Sequence, residues 1–198
     1  MSDSKNRPKI AILISGRGSN MKVILDRVAD GSLPVDVACV FSDKAQAEGL
    51  QIARSAGVAT ATFAPSEFAS FTEYEEKLVD LLKQSGCQWI VCAGYMRIIK
   101  KTLLAAFAGK IINIHPSLLP SFRGLNAQKQ ALEAGVKISG CTVHYVDEGV
   151  DSGPIIAQTP VEVLDNDTLE DLTARILQAE HETYWRAIKK VAQALSSR

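Results

Sequence analysis

The segment IINIHPSLLPSFRG at 111–124 carries the residues best suited to chemistry. Asn113 and His115 stand two positions apart at the end of an apolar run, and Pro116 follows. Residues two apart on a strand share a face, so an amide and an imidazole would project together. An imidazole changes charge near neutral pH and suits general acid–base work. An amide N–H can donate to a developing oxyanion. The residue before a proline is pushed into extended conformations, so Pro116 stiffens the place of His115. An acid to orient the ring is offered by EGVDSGPI, where Asp151 has Gly149 and Gly153 as near neighbours that allow close approach. A carboxylate beside an imidazole favours its protonated form. No GxSxG or similar nucleophile context occurs, which points to attack by the substrate's own nucleophile. The same residues also fit a structural histidine at a strand end and an aspartate that caps a turn.

A second candidate site is GRGSN at 16–20, between an apolar run and an amphipathic one. Backbone N–H groups at a helix start bind anions, and glycines let the backbone approach a phosphate. Ser19 and Asn20 can cap the helix and also donate to phosphate oxygens. Met21 stands where a dinucleotide fingerprint needs its third glycine, and no GK[ST] follows, so a single phosphate fits better than a dinucleotide. A tight turn with an N-cap is the plainer alternative.

Elements that would position these residues follow from the hydrophobic pattern. Apolar runs at 9–15, 35–43, 58–63, 87–94 and 110–115 predict buried strands. Helical spacing at 21–31, 45–57, 67–86 and 100–109 predicts helices between them. Strands that are apolar throughout and alternate with helices indicate an α/β fold, a Rossmann-like open and mostly parallel sheet with helices on both faces. Past residue 120 the pattern changes. A helix is expected at 127–135, and strands at 138–146 and 153–163 suggest a late antiparallel pair. Residues 168–195 predict a long C-terminal helix, and 1–8 a frayed tail. In 138–146 the alternation places Cys141, Val143 and Tyr145 on one side and Thr142, His144 and Val146 on the other. The crevice at the carboxyl ends of the parallel strands would then receive both the glycine loop and the Asn-His pair.

The length of 198 residues fits a single domain able to bury roughly 70% of its unfolded surface. Basic and acidic residues balance at 22 each, with no block of five like charges, which argues against nucleic acid as the main partner. Cys39, Cys87, Cys92 and Cys141 lie in apolar runs outside any CxxC pair and read as buried hydrophobes in a reducing compartment. The three histidines show no metal-ligand spacing, so no metal is expected. A polar start without a secretory core, and no apolar run near 18 residues, point to a soluble cytoplasmic protein.

In ILISGRGSN, VFSDKAQAEGL, AGYMRII, NIHPSLLPSF, GCTVHYV, DSGPII and AEH, taken in this order, the chain resembles the glycinamide ribonucleotide formyltransferases along essentially its whole length. These are folate-dependent enzymes of purine synthesis. The resemblance implies transfer of a formyl group from 10-formyltetrahydrofolate, as cosubstrate, to the amine of glycinamide ribonucleotide. It implies catalytic roles for Asn113, His115 and Asp151. Gly18, Ser19 and Asn20 match the loop that holds the substrate phosphate, and Glu180 the acid that binds the ribose hydroxyls. Met96, Arg97, Ile98 and Ile99, with Asn113 and the loop of Asp147, Glu148, Gly149, Val150 and Asp151, match the folate pocket, where contacts are largely to backbone. It implies one formyltransferase domain over 1–198, with a Rossmann-like phosphate-binding half at 1–110 and a catalytic and folate-binding half at 111–198. Small molecules are the expected partners, with no nucleic acid and no membrane, for a monomer or homodimer.

The chain departs from the family pattern at Arg123 to Asn126 and at Ser139, which bears on loop contacts, and at Leu177, which moves the expected phosphate contacts onto residues 18–20 with Arg17 as a helper. Among related enzymes, a methionyl-tRNA formyltransferase would be expected to carry a C-terminal extension and a basic surface. A formyltetrahydrofolate hydrolase would be expected to carry an extra N-terminal domain. A non-catalytic nucleotide-binding module is the alternative from another class.

Overall fold

Seven strands form one sheet in the computed structural model, which describes residues 7–196. The tail read over 1–8 falls largely outside these residues. The strands are β1 (Lys9–Ile14), β2 (Asp36–Ser42), β3 (Thr60–Thr62), β4 (Trp89–Cys92), β5 (Ile111–His115), β6 (Ile138–Tyr145) and β7 (Ile155–Glu162). The helices are α1 (Ser19–Ala29), α2 (Glu48–Ser55), α3 (Phe71–Gln84), α4 (Lys101–Ala106), α5 (Ala127–Glu133) and α6 (Leu169–Ser196). The helix expected from 67 starts later because Ser70 caps it, its hydroxyl accepting from the Glu73 amide at 3.2 Å. Residues 65–67 form a separate 3-10 turn.

The strand order is β3-β2-β1-β4-β5-β6-β7. The first five strands are parallel, and β6 and β7 add antiparallel, as the change of pattern after residue 120 predicts. Strands build outward from β1 toward β2 and β3 on one side and toward β4 and β5 on the other. That reversal opens a crevice at the carboxyl ends of β1 and β4. Two backbone bonds stitch its floor, from Ser15 N to the Gly94 carbonyl (3.0 Å) and from Ala93 N to the Leu13 carbonyl (2.9 Å).

Alternate residues of the central strands feed two cores. Ile10, Ile12, Ile14, Val91, Ile112 and Ile114 pack with α1, α2, α5 and α6. Ala11, Leu13, Phe41, Ile90, Cys92 and Ile111 pack with α3 and α4. All four cysteines are buried and free. Burial pushes the thiols of Cys92 and Cys87 up to about 12 and about 11, which suits packing rather than reactivity. Among the described residues no helix is long and apolar enough to cross a membrane.

Candidate active site

Strand β5 carries Asn113 and His115 on the face opposite Ile112 and Ile114, beyond the cover of the α3–α4 layer. The antiparallel register sets Asn113 against His144 and His115 against Thr142. Thr142 in turn ties down the segment after Pro116. Its hydroxyl donates to the Ser117 carbonyl (2.7 Å) and accepts from the Leu119 amide (3.0 Å).

Asp151 arrives from the loop between β6 and β7. Its Oδ2 lies 3.2 Å from His115 Nδ1 and accepts from the Gly124 amide at 2.9 Å. Its Oδ1 stands 3.6 Å from His144 Nε2. Burial raises the Asp151 carboxyl, but the His144 imidazole, the Gly124 amide and the His115 ring outweigh it and hold the group below the ordinary carboxylate range. Asp151 is therefore an anion at neutral pH.

His115 Nε2 lies 2.8 Å from the Phe122 carbonyl, which can only accept, so this nitrogen carries a proton. The opposite nitrogen faces the Asp151 carboxylate. Only the doubly protonated ring donates to both partners. His144 differs. Its Nδ1 donates to the Tyr145 carbonyl at 2.8 Å, and its Nε2 lies between the Asn113 amide nitrogen at 3.4 Å and Asp151 Oδ1 at 3.6 Å. His144 thereby orients the Asn113 side chain.

The structure thus brings Asn113, His115 and Asp151 together, and adds His144, the Phe122 carbonyl and the Gly124 amide, which sequence reasoning missed. Alternation along 138–146 does place His144 with Thr142 on one side. The cross-strand register that sets His144 against Asn113 has no local signal.

Glycine-loop residues gather at a second place. Gly18 is left-handed (φ 76), and a Cβ there would stand 2.9 Å from the Gly49 backbone, so its glycine serves the fold as well as any ligand. Helix α1 spends its first backbone bond from Lys22 N to the Gly18 carbonyl, so the N–H groups of Ser19, Asn20 and Met21 lie before the first intrahelical bond. Asn20 is buried and donates to Glu180 Oε2 at 2.8 Å, while its own Oδ1 is buried without a partner among the described residues. Burial pushes the Glu180 carboxyl up to about 7 against the pull of that Asn20 contact. An amide oxygen and a carboxylate side by side can receive the hydroxyls of a diol.

The residues expected to form a folate pocket divide between two loops. A cleft of ≈ 420 Å³ between α4 and the end of β6 is lined by Leu104, Gly109, Tyr145, Val146, Asp147, Glu148 and Pro154. It takes in Asp147 and Glu148 and none of residues 96–99. Met96, Ile98 and Val150 are exposed at 64%, 65% and 52%. Ile99 packs on the α3–α4 core, and Arg97 pairs with Asp43. A larger open groove of ≈ 760 Å³ between β7 and α6 contains none of the residues above. Among the described residues no three His, Cys, Asp or Glu are grouped to hold a metal ion.

Comparison with known proteins adds the following. The formyl transferase family matches residues 8–188. Phosphoribosylglycinamide formyltransferase of Bacillus subtilis is 43% identical over 183 residues, covering 92% of this chain and 94% of that protein. The trifunctional purine biosynthetic protein adenosine-3 of Drosophila pseudoobscura pseudoobscura is 45% identical over 191 residues. That match covers 96% of this chain but only 14% of the longer protein. Glycinamide ribonucleotide transformylase 1 from Symbiobacterium toebii superposes with a TM-score of 0.94 at 47% identity, covering 98% of this chain and 94% of that one.

Proposed function

The chain belongs to the formyl transferase family, and from that premise we propose that it moves a formyl group from 10-formyltetrahydrofolate to the amine of phosphoribosylglycinamide, a step of purine biosynthesis. The observation that carries the reading is the convergence of Asn113, His115 and Asp151 from a strand and a distant loop. The glycyl amine attacks the formyl carbon, and a tetrahedral intermediate forms with its charge on oxygen. Asn113 and the protonated His115 ring donate to that oxygen. Asp151 orients the ring through its contact with Nδ1. The C–N bond to the folate then breaks, the amine loses its proton and the folate nitrogen gains one. For His115 Nε2 to reach the oxyanion, the Phe122 carbonyl that now holds it must yield.

Residues up to 110 supply the ribonucleotide phosphate contacts of Gly18, Ser19 and Asn20, together with the folate contacts of residues 96–99. Residues 111–198 supply the catalytic set, the ribose acid Glu180 and the second folate loop at 147–151. The exposed apolar side chains at Met96, Ile98 and Val150 support a flat, largely apolar ligand between those loops. The balanced charge supports small molecules as the partners, with no nucleic acid, for a monomer or homodimer of the cytoplasm.

Loss of formyl from 10-formyltetrahydrofolate, followed by absorbance with and without the ribonucleotide, tests this. Deformylation strictly dependent on the ribonucleotide is expected. Deformylation by water alone would make the protein a hydrolase, and nucleotide binding without turnover would make it a binding module.

A further inference from the structure

Residues 94–100 leave the end of β4 and lead into α4. Both ends of this loop are held by α3. The Tyr74 and Tyr95 hydroxyls pair at 2.5 Å, and the buried Glu75 carboxylate accepts from the Lys100 amide at 2.6 Å. Its middle is held by a different group, the side chain of Asp43 at the end of β2. That side chain has no exposed surface, and a lone carboxylate so placed would be costly. It is matched on both oxygens. Ser15 Oγ donates to Oδ1 at 2.5 Å, and Arg97 Nε donates to Oδ2 at 2.7 Å. The Ser15 hydroxyl in turn accepts from the Met96 amide at 2.9 Å. One carboxylate therefore reaches across β1 from β2 to a loop of β4, two strands that do not pair with each other. With the Arg97 side chain 44% exposed, the ion pair is itself weak evidence for stability. What this one specifies is the direction of the Met96 amide and the path of the chain through Arg97.

We infer that Asp43 is a positioning residue for the formyl donor: through Ser15 and Arg97 it fixes the backbone of residues 96 and 97 and so sets the affinity for the folate. The inference rests on the reading above that residues 96–99 bind that molecule. Asp43 touches neither the Asn20–Glu180 pair nor the His115 cluster, so its loss is expected to act first on the formyl donor.

The test is steady-state kinetics on the whole chain, varying each substrate at saturating levels of the other, with a melting temperature for every variant. Asp43→Asn keeps the volume and one acceptor, so it is the main variant, and Ser15→Ala is the second should Asp43→Asn fail to fold. A displaced loop can cost up to ~10²-fold, so Asp43→Asn is expected to raise KM for 10-formyltetrahydrofolate about 10-fold or more. KM for the ribonucleotide and kcat at saturating donor are expected to hold within about 3-fold, less than the tenfold that 1.4 kcal/mol confers. Arg97→Ala should raise the donor KM as well, and the double variant should fall short of the product of the two. An unchanged donor KM in a folded Asp43→Asn overturns the inference. So does a rise in both KM values that tracks lost stability, the mark of a merely structural pair. If the unmodified protein shows no ribonucleotide-dependent deformylation, the proposed function falls and takes this inference with it. If it turns over normally and Asp43→Asn keeps its donor KM, this inference alone falls.

Discussion

The loop after β4 and the loop after β6 are held in opposite ways. Residues 94–100 are pinned by side chains from β1, β2 and α3, two of them buried carboxylates. Residues 146–154 are stitched mainly to themselves. Asp147 Oδ1 accepts from the Gly149 amide (3.1 Å) and the Ser152 hydroxyl (2.7 Å), and the base closes from Tyr145 N to the Pro154 carbonyl (2.9 Å). This loop meets the catalytic cluster through Asp151, which is itself left-handed at φ 49. The first loop's geometry is set when the sheet forms. The second takes its place from the residues its aspartate serves. The proposed donor-binding loop and the proposed catalytic acid are thus anchored independently.

The largest expected effect tests the second half of that comparison. His115→Ala and Asn113→Ala should each lower kcat by ~10²–10³, the usual cost of an oxyanion donor. The two should part in a second measurement. His115 stands 3.2 Å from Asp151 Oδ2, so its loss should speed hydrogen exchange at residues 147–153 and at the Gly124 amide. Asn113→Ala leaves the Asp151 contacts to His115, Gly124 and His144 in place and should leave that exchange unchanged. Equal exchange in the two variants would mean that the loop is held by something other than its aspartate.

Next in size is an effect of pH, and it contrasts the two acids of the site. Burial pushes Glu180 up to about 7, whereas Asp151 lies below the ordinary carboxylate range. A carboxyl raised in the folded state binds its proton more tightly there than in the unfolded chain. Its contribution is full below the unfolded value near 4.3 and is lost as pH rises toward 7, by roughly 4 kcal/mol at most. Glu180→Gln has no such proton to lose. Urea unfolding at pH 5 and pH 8 should show the wild type losing stability relative to the variant as pH rises. For Asp151 the sign reverses. Its contribution is present above the unfolded value and disappears as pH falls through the folded one, so Asp151→Asn should narrow the gap to wild type in acid. Parallel wild-type and Glu180→Gln slopes would show that Asn20 offsets the burial of Glu180 completely.

How much of this was legible in the sequence follows from the range of each interaction. The parallel strands read well because their two-sided burial makes continuous apolar runs, and β6 read well because one run alternates. Asn113 and His115 were legible because strand periodicity and Pro116 are local. Asp151 could be named from its glycine neighbours, but its distance to His115 could not. His144 and Asp43 escaped for one reason. Each acts across strands, His144 through the β5–β6 register and Asp43 across β1, and neither link leaves a trace within a short window. The end of α4 at Ala106 and the late start of α3 are matters of capping, where one hydrogen bond outweighs helical spacing.

The smallest effect asks whether the self-stitching of the β6 loop carries weight of its own. Two glycines there look alike in sequence and differ in what a methyl would meet. At Gly153 an added Cβ would fall 1.9 Å from the Tyr145 carbonyl oxygen, which is backbone and part of the β6–β7 connection. At Gly149 the nearest atom would be the Ser152 hydroxyl at 2.0 Å, the end of a side chain that can rotate away. Gly153→Ala should therefore cost ~1–3 kcal/mol, the usual cost of overpacking, and lower kcat because the backbone that carries Asp151 must move. Gly149→Ala should cost about the one hydrogen bond from Ser152 to Asp147, on the order of 1 kcal/mol or less, and leave turnover near wild type. If Gly149→Ala proved as damaging to turnover as Gly153→Ala, the Asp147–Ser152 stitch would be part of what places Asp151. The two loops would then be anchored less differently than their contacts indicate.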